Sequence, residues 1–397
     1  MLYTSPNKNI SSILGTTPEE IDIRGRGSDR YVLMSVIILM IFGVLAVYSS
    51  IAYFAETRNT TAGSLVTGHM VKVGIAFLVM LIVSKMDYRI VAKFSRIAVV
   101  ISWLLLIAVL IYGDVVFGAK RSLNLGAFSF QPSSVAAVAL LIHVSVLLHE
   151  KQEYIKDFKR SFMPIMVWIT ITCGLIGLED FSSAALLMAI CFVLMFIGRI
   201  SVMHLGALVL IGAIGGATLI SSSLERQSRV KEYVAQVTNI NSSEFNLDHG
   251  YQAQQAYIAI AQGKMTGVGI GKSVQRDFLP APYNDFIFAI IAEEYGIIGS
   301  AFIILLFGLI LVRGIAVIAR NAVDNLGVFL AVACTLMITL YGFVNAMVAS
   351  GLLPVTGLPM PFVSYGGTSM LFTGIMVGLL LNISKHSRNK PNLFYNS

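Results

Sequence analysis

Residues 285–312, which read DFIFAIIAEEYGIIGSAFIILLFGLILV, decide the fold. After Asp285 the stretch is apolar for long enough to cross a lipid bilayer as one helix, which takes about 20 mainly apolar residues. The whole chain has this character, because apolar residues make up 56% of its 397 residues, charged residues make up 12%, and the mean hydropathy is +0.79. Soluble domains contain about 45–50% apolar and about 25% charged residues. The composition therefore excludes a soluble enzyme, a disordered chain and a coiled coil, and it indicates a polytopic helical membrane protein.

Further apolar stretches are close to the length of a membrane span. We therefore predict an all-α polytopic membrane protein of about ten transmembrane helices. One connection, residues 222–285, is much longer than the others, and such loops inside a compact domain are usually functional or disordered. Its helix-like stretches and glycine-rich turn favour an ordered, functional loop. The predicted spans are residues 31–54, 66–84, 97–113, 133–149, 161–178, 181–198, 202–221, 286–312, 326–350 and 362–383.

The distribution of Lys and Arg predicts the orientation, since basic residues accumulate in cytoplasmic loops. If the N-terminus is cytoplasmic, the short outer loops carry only Arg58, Lys120 and Arg121, and most other basic residues lie inside. The net charge of +7 follows from the same rule, so it does not indicate nucleic-acid binding. The predicted layout is a cytoplasmic tail of residues 1–30, a membrane domain of residues 31–386 with an extracytoplasmic loop of residues 222–285 between spans seven and eight, and a cytoplasmic tail of residues 387–397.

Asp285 stands where the long loop enters span eight. One interpretation is structural, because Asn284 or Asp285 could cap the following helix. The functional interpretation is a general base at the outer membrane boundary, where apolar surroundings would raise the carboxyl pKa toward a useful value. Glu293 and Glu294 lie about two turns deeper. Ionisable residues inside a span are costly and therefore functional candidates. Their structural alternative is a buried pair that is hydrogen-bonded to a neighbouring helix.

Basic residues in the outer loops are candidates for binding an anionic group. Arg226 and Arg229 are three positions apart and would share one helix face. Together with Lys120, Arg121 and Lys272 they could line a pocket for a phosphate, which Arg contacts through two parallel hydrogen bonds. The alternative is a solvated surface or attraction to anionic lipid.

Residues 351–369, GLLPVTGLPMPFVSYGGTS, are rich in proline and glycine. At membrane depth such irregular backbone is tolerated only where protein or a cavity satisfies its polar groups. We therefore predict a re-entrant or tightly packed outer segment in which Ser364 and Tyr365 contact substrate, with packing and turn formation as the alternative.

Residues 263–273, GKMTGVGIGKS, are similar to a phosphate-binding P-loop, but Thr266 stands where that motif needs glycine, so we interpret them as a flexible turn.

Three stretches together carry a resemblance to one family. They are DFIFAIIAEEYG from Asp285, GYQAQQAYIAIAQGKMTGVGIGKS from Gly250 and LLPVTGLPMPFVSYGGTS from Leu352. With the predicted spans and the large loop before span eight, the chain resembles the SEDS family (shape, elongation, division and sporulation proteins such as FtsW, RodA and SpoVE) over residues 31–386. The end of the first span, LAVYSS, and the tail NISKHS resemble division members more than elongation members.

The resemblance implies a peptidoglycan glycosyltransferase on the outer face of the bacterial cytoplasmic membrane. Its substrate would be lipid II, an undecaprenyl-pyrophosphate-linked disaccharide pentapeptide, which it joins to an undecaprenyl-pyrophosphate-linked glycan. Asp285 would be the essential aspartate that deprotonates the 4-hydroxyl of the acceptor sugar. The loop's Arg and Lys residues, with a divalent cation (Mg²⁺ or Mn²⁺) as a further candidate, would neutralise the leaving pyrophosphate. The implied partners are a class B penicillin-binding protein and other membrane proteins of the division complex.

Several positions depart from the family's usual pattern. Ser122 stands in place of a Trp, Ser134 in place of a Glu, Ala137 in place of a Lys and Ala281 in place of a Glu, and only Asp180 remains of the usual Gln-Pro-Asp-x-Gly-Thr. Losing a Glu and a Lys together would remove both partners of one internal ion pair, which is less damaging than losing one partner. The alternative is a weakened substrate channel.

Two other functions are open from the sequence. A transporter that moves lipid II across the membrane would account for Lys72, Glu293 and Glu294 inside the spans. A catalytically weak scaffold that recruits a transpeptidase would account for the altered motif positions. The glycosyltransferase is the preferred hypothesis, because a transporter needs no carboxylate at the outer rim and the two halves show no clear inverted repeat.

Overall fold

The structure is a computed structural model, and it describes residues 27–51, 61–116, 119–125, 128–224, 227–228, 230–231, 233–234, 251–279 and 282–386. The helices of this part are α1 (Arg30–Ser50), α2 (Ala62–Val83), α3 (Tyr88–Lys93), α4 (Ser95–Tyr112), α5 (Pro132–Glu150), α6 (Met163–Glu179), α7 (Phe181–Ile197), α8 (Val202–Ser221), α9 (Tyr251–Gly263), α10 (Ile287–Val312), α11 (Asn325–Ala349) and α12 (Thr368–Lys385). The strands are β1 (Asp114–Val116), β2 (Ala119–Leu125) and β3 (Phe128–Phe130).

Nine of the described helices are long and apolar enough to cross a membrane, and α7 is a shorter apolar helix. Together they correspond to the predicted spans, so the prediction of an all-α polytopic membrane protein is confirmed. The last span is predicted to begin at residue 362 but begins at Thr368. The prolines at 359 and 361 lack backbone N–H groups, which disfavours a helix there. The predicted tails lie outside the described residues, apart from residues 27–30.

The bundle has two ends, which we call the loop end and the terminal end. At the loop end α8 stops, α10 starts and residues 222–286 connect them. At the terminal end α1 starts and α12 stops. Asp29, which precedes α1, donates its backbone N–H to the Ser384 hydroxyl of α12 at 3.0 Å, and its carboxylate pairs with Arg313 beyond α10 at 2.5 Å. These contacts fix the ends of three helices relative to one another.

The connection between α4 and α5 adds a small sheet to the predicted fold. β1 pairs with β2 and β2 pairs with β3, both in antiparallel orientation. Two of the strands contain three residues each, which is too short for the alternation of apolar and polar residues that predicts a strand. The sheet lies at the loop end and brings Ser122 to the cavity that is described below.

Small residues allow α2 and α12 to pack closely. A Cβ atom at Gly374 would lie 2.7 Å from the Ala76 carbonyl oxygen, and one at Gly378 would lie 2.8 Å from the Met80 carbonyl oxygen. Glycine at these two positions therefore lets the backbones approach. Such packing is common between membrane helices, because lipid provides little hydrophobic drive for their association.

A second polar cluster at the terminal end surrounds Asp324, the N-cap residue of α11. Its carboxylate accepts the Gly327 amide at 2.7 Å and the Tyr88 hydroxyl at 2.8 Å. It also pairs with the Arg89 guanidinium at 2.8 Å. Partial burial alone would raise the pKa of Asp324, but these donors together hold the pKa below its usual value of 3.8.

We expect Asp324→Asn to destabilise the protein at neutral pH by about 0.5–1 kcal/mol, because an amide cannot form the charge-assisted bond with the half-exposed Arg89 side chain. A carboxylate with a lowered pKa contributes stability that is present above its unfolded-state pKa and is lost as the pH falls through its folded-state pKa. The difference between wild type and variant should therefore shrink below about pH 4. Thermal unfolding between about pH 7 and about pH 3 measures this. Glu153→Gln, an exposed change at the same end, should have no effect, and a pH-independent difference for Asp324→Asn would contradict the prediction.

Candidate functional site

A cavity of about 440 Å³ lies among the helices at the loop end. Its wall is formed by parts of α2, α5, α7, α9, α11 and α12, by the sheet, and by two irregular segments, residues 282–286 and 351–367. Among the described residues, the wall has one basic side chain, Lys72, and two carboxylates, Asp180 and Asp285. Its other polar residues include Ser122, Gln131, Ser133, Ser134, Ser183, Gln252, Tyr283, Asn284, Tyr341, Ser364, Tyr365, Thr368, Ser369 and Thr373.

Asp285 lies on this wall in the turn that precedes α10. Phe286 occupies the N-cap position of α10, and no side-chain hydrogen bond caps this described helix start. The interpretation of Asp285 or Asn284 as a helix cap is therefore wrong. The backbone of the turn is held by Asn345 of α11, whose Nδ2 donates to the carbonyl oxygens of Asp285 and Leu358, both at 2.8 Å. One buried amide thus joins the two irregular segments at Asp285.

Ser364 and Tyr365 join the same two segments. The Ser364 hydroxyl donates to the Asn284 carbonyl at 2.6 Å and accepts the Met360 amide at 2.8 Å. The Tyr365 amide donates to the Tyr283 carbonyl at 2.7 Å. Both residues lie on the cavity wall, as a contact with substrate requires, but the Ser364 hydroxyl is already engaged by protein groups. The predicted irregular, tightly packed segment is present.

The Tyr365 ring lies within a small group of polar and aromatic side chains. It stacks on His69 with ring centroids 5.2 Å apart and meets the ring of Tyr283 edge-on at 5.6 Å. The Lys72 ammonium lies 4.9 Å from the Tyr365 ring centroid, within the range of cation–π attraction. His69 is fully buried. The structure therefore places Lys72 on the same wall as Asp285, which the sequence alone does not predict.

α10 is interrupted at Gly296, near the loop end. Gly296 has φ 66° and ψ −165°, a conformation outside the helical region that glycine adopts without a Cβ penalty. The turn after α9 meets this break. The Ile297 amide donates to the Lys264 carbonyl at 2.9 Å, and the Ile298 amide donates to the Met265 carbonyl at 3.3 Å. Backbone groups that the break releases therefore have protein partners, as irregular backbone in a span requires.

The carboxylates of Glu293 and Glu294 hold the same turn. Glu293 accepts hydrogen bonds from the Ser273 hydroxyl at 2.5 Å and the Val274 amide at 2.9 Å. Glu294 accepts hydrogen bonds from the Gly271 amide at 3.1 Å and from the Ser49 hydroxyl of α1. Both glutamates are buried, and neither is among the described residues of the cavity wall. The structure does not bring them to Asp285, and the contacts it gives them are structural.

The predicted basic residues are not brought together by the described part of the structure. Lys272 is exposed and is not among the residues of the cavity wall. Lys120 and Arg121 belong to β2, but their side chains are not described, and Arg226 and Arg229 lie outside the described residues. A phosphate pocket built from these five side chains stays a prediction.

Two positions that depart from the family pattern, Ser122 and Ser134, lie on the cavity wall. Ala137 is buried in α5, and Ala281 lies outside the described residues. A hydroxyl therefore occupies two wall positions at which the resemblance implies a larger ring or a charge.

Asn345, which positions the turn that carries Asp285, is not predicted from the sequence. In the sequence it is one amide side chain inside the apolar run of residues 326–350. Composition alone does not distinguish such a residue from a polar residue that a span merely tolerates. Polar side chains in spans commonly bond to neighbouring segments, so the residue could have been chosen, but its partners could not have been named.

We expect Asn345→Ala to loosen the turn that carries Asp285, because one buried and one partly buried carbonyl oxygen lose their donor, at about 1–3 kcal/mol for the buried one. Hydrogen–deuterium exchange should rise in residues 283–287 and 357–360. Asn321→Ala is the matched control, since the Asn321 amide donates to the Val317 carbonyl of its own helical turn at 2.8 Å, at the terminal end. Equal exchange in wild type and Asn345→Ala would show that other contacts hold the turn.

Comparisons with known proteins agree with this architecture. A family model described as "Cell cycle protein", which covers FtsW, RodA and SpoVE, matches residues 29–389. The chain is 34% identical over 368 residues to stage V sporulation protein E of Bacillus subtilis, covering 91% of this chain and 98% of that protein. It is 31% identical over 379 residues to the probable peptidoglycan glycosyltransferase FtsW of the same organism, covering 91% of this chain and 92% of that protein.

Solved structures share the fold. A chain of the structure reported as "Structural coordination of polymerization and crosslinking by a peptidoglycan synthase complex" matches with a TM-score of 0.71 at 22% identity, over 90% of this chain and 97% of that chain. The rod shape determining protein RodA of Thermus thermophilus matches with a TM-score of 0.66 at 22% identity, over 91% of this chain and 98% of that chain. The protein is an integral membrane protein, and it belongs to the FtsW/RodA/SpoVE family of cell cycle proteins.

Proposed function

We propose that this chain is a peptidoglycan glycosyltransferase that polymerises lipid II at the loop end of the bundle, with Asp285 as its general base. The observation that carries the proposal is the position of Asp285 on the wall of a cavity of about 440 Å³, within the usual range of about 300–1,000 Å³ for ligand pockets. Relatives named as probable peptidoglycan glycosyltransferases support the activity.

In the proposed reaction, Asp285 accepts the proton of the 4-hydroxyl group of the acceptor sugar. The acceptor oxygen forms a bond to the anomeric carbon of the donor chain, and the bond between that carbon and the pyrophosphate oxygen breaks. Undecaprenyl pyrophosphate leaves with the electron pair. A general base must lie within hydrogen-bond reach of the proton it takes. The bond from Asn345 to the Asp285 carbonyl supports this role by positioning the turn.

Basic side chains are the proposed means of neutralising the leaving pyrophosphate. Lys120, Arg121, Arg226 and Arg229 are candidates for this electrostatic role, which is strongest where charge develops in the transition state. A divalent cation such as Mg²⁺ or Mn²⁺ would supply Lewis-acid chemistry. The described residues contain no cluster of three or more His, Cys, Asp or Glu side chains that could hold one. Because Mg²⁺ is usually bound by one or two carboxylates together with substrate phosphates, a cation at the pyrophosphate stays a proposal, and no step of the mechanism passes through it.

We further propose that the loop end faces the outside of the bacterial cytoplasmic membrane and that both termini are cytoplasmic. The basic residues of the connections at the terminal end support this orientation.

The proposed partners are a class B penicillin-binding protein and other division-complex proteins. The fold match to a chain of a peptidoglycan synthase complex supports a partnership of this kind. The resemblance of LAVYSS and NISKHS to division members supports a role in septal cell-wall synthesis rather than elongation.

We expect Asp285→Asn to lower the rate of lipid II polymerisation by about 10²–10⁴-fold, the usual contribution of a general base. The measurement is the formation of glycan chains by purified protein, with and without the partner transpeptidase. Asp277→Asn is the matched control, because it makes the same chemical change at an exposed position of the same loop. Thermal unfolding of both variants checks that they are folded.

An unchanged rate for Asp285→Asn would remove Asp285 from the mechanism. Absence of glycan chains from folded wild type, together with movement of labelled lipid II across liposome membranes, would favour the transporter. Growth of cells that depend on Asp285→Ala would favour the scaffold.

A further inference from the structure

Lys72 is the one basic side chain among the described residues of the cavity wall, and nothing in the proposed reaction uses it. It belongs to α2, one of the helices that can span the membrane. A charged ammonium inside a span is costly, and such residues normally face a cavity or an opposite charge. Lys72 faces a cavity, so the first requirement is met.

Among the described residues, the Lys72 ammonium has no ion-pair partner. Within the described part of the chain, its contact is the face of the Tyr365 ring at 4.9 Å. None of the ion pairs formed between described residues includes Lys72. Cation–π attraction offsets only part of the cost of desolvating an ammonium. His69 and Tyr283, which contact the same ring, add no negative charge.

The cavity suits an anion that is attached to a hydrocarbon chain. Lys72 lies about 15 Å along α2 from its loop-end start, by the rise of about 1.5 Å per residue. A free anion gains little by entering the bundle to that depth. An amphipathic ligand brings its own apolar part, for which the same wall offers Met337, Ile338 and Phe372.

We propose that Lys72 binds a phosphate group of a lipid-linked ligand in this cavity, and that Tyr365 holds the ammonium in place for it. This inference rests on the proposed function, in which the phosphate belongs to the pyrophosphate of the donor and of the leaving group. A Lys ammonium contacts phosphate as a compact point charge with three donors. In this role Lys72 binds the group that departs, while Asp285 on the same wall takes the acceptor proton.

The test is direct binding by the full-length protein in nanodiscs of phosphatidylcholine. The probes are undecaprenyl pyrophosphate, undecaprenol, which has the same hydrocarbon chain without charge, and phosphatidylglycerol, which carries a phosphate in an ordinary membrane lipid. Thermal stabilisation at increasing mole fractions of each lipid gives an apparent affinity. The proteins compared are wild type, Lys72→Met, Lys72→Arg and Lys85→Met. Lys85 is exposed just beyond α2 at the terminal end, so its variant makes the same charge change away from the cavity.

We expect Lys72→Met to bind undecaprenyl pyrophosphate about tenfold more weakly than wild type or worse, as the loss of one charge-assisted hydrogen bond predicts. Lys72→Arg should retain most of the affinity, Lys85→Met should match wild type, and undecaprenol should not distinguish the four proteins. Lys72→Gln replaces Lys72→Met if the methionine variant has a lower melting temperature without ligand.

Binding of undecaprenyl pyrophosphate that is equally tight in wild type and Lys72→Met would overturn the inference. An equally large Lys72-dependent response to phosphatidylglycerol would assign the site to membrane phospholipid and overturn its role toward the donor. Binding is measured without catalytic turnover, so it tests the Lys72 phosphate site separately from the proposed glycosyltransferase activity. Lys72-dependent binding without polymerisation of lipid II would overturn the glycosyltransferase and leave the phosphate site standing, whereas polymerisation with Lys72-independent binding would do the reverse.

Discussion

The break in α10 at Gly296 is the constraint on which the loop end depends. Inside a membrane span each backbone N–H and C=O needs a protein partner, because lipid provides none. The turn after α9 supplies such partners on both sides of the break. The Val268 and Gly269 amides donate to the carbonyls of Glu293 and Glu294 at 2.9 and 3.1 Å, and carbonyls of the same turn accept the amides beyond the break. The turn after α9 and the span that follows it are therefore joined on both sides of the break.

This pairing requires glycine at the end of α9 and in the turn after it. A Cβ atom at Gly263 would lie 1.8 Å from the Ala292 carbonyl oxygen, and one at Gly267, where φ is +81°, would lie 2.1 Å from the Glu294 carbonyl oxygen. The backbones can approach this closely only without side chains. The other irregular segments also have protein partners, because Asn345 and Ser364 form hydrogen bonds between the turn before α10 and residues 351–367. The two irregular segments, residues 282–286 and 351–367, thus meet at one cavity, which is where membrane proteins tolerate irregular backbone.

The spans could be predicted from the sequence because a span is encoded locally, by the composition of about 20 residues. Asp285 could be predicted as a site residue for a similar reason, since a carboxylate stands at the boundary between a loop and a span. The break at Gly296 could not, because a single glycine in an apolar run is ordinary in membrane helices. Its meaning depends on a turn that precedes the span in sequence and meets it only in the fold. The bond from Asn345 to the Asp285 turn is non-local in the same way.

The ionisable residues inside the spans can be found from the sequence, but their partners cannot. Lys72, Glu293 and Glu294 are candidates on one ground, the cost of placing a charge in a membrane. That cost implies a compensating partner in each case, but it does not identify the partner. For the two glutamates the partners are backbone amides and hydroxyls of the protein, so the carboxylates stabilise the loop. Lys72 faces a cavity and an aromatic ring instead. Among the described residues, a buried carboxylate that accepts hydrogen bonds from protein groups away from the cavity indicates architecture, whereas an ammonium that faces the cavity and an aromatic ring indicates a ligand.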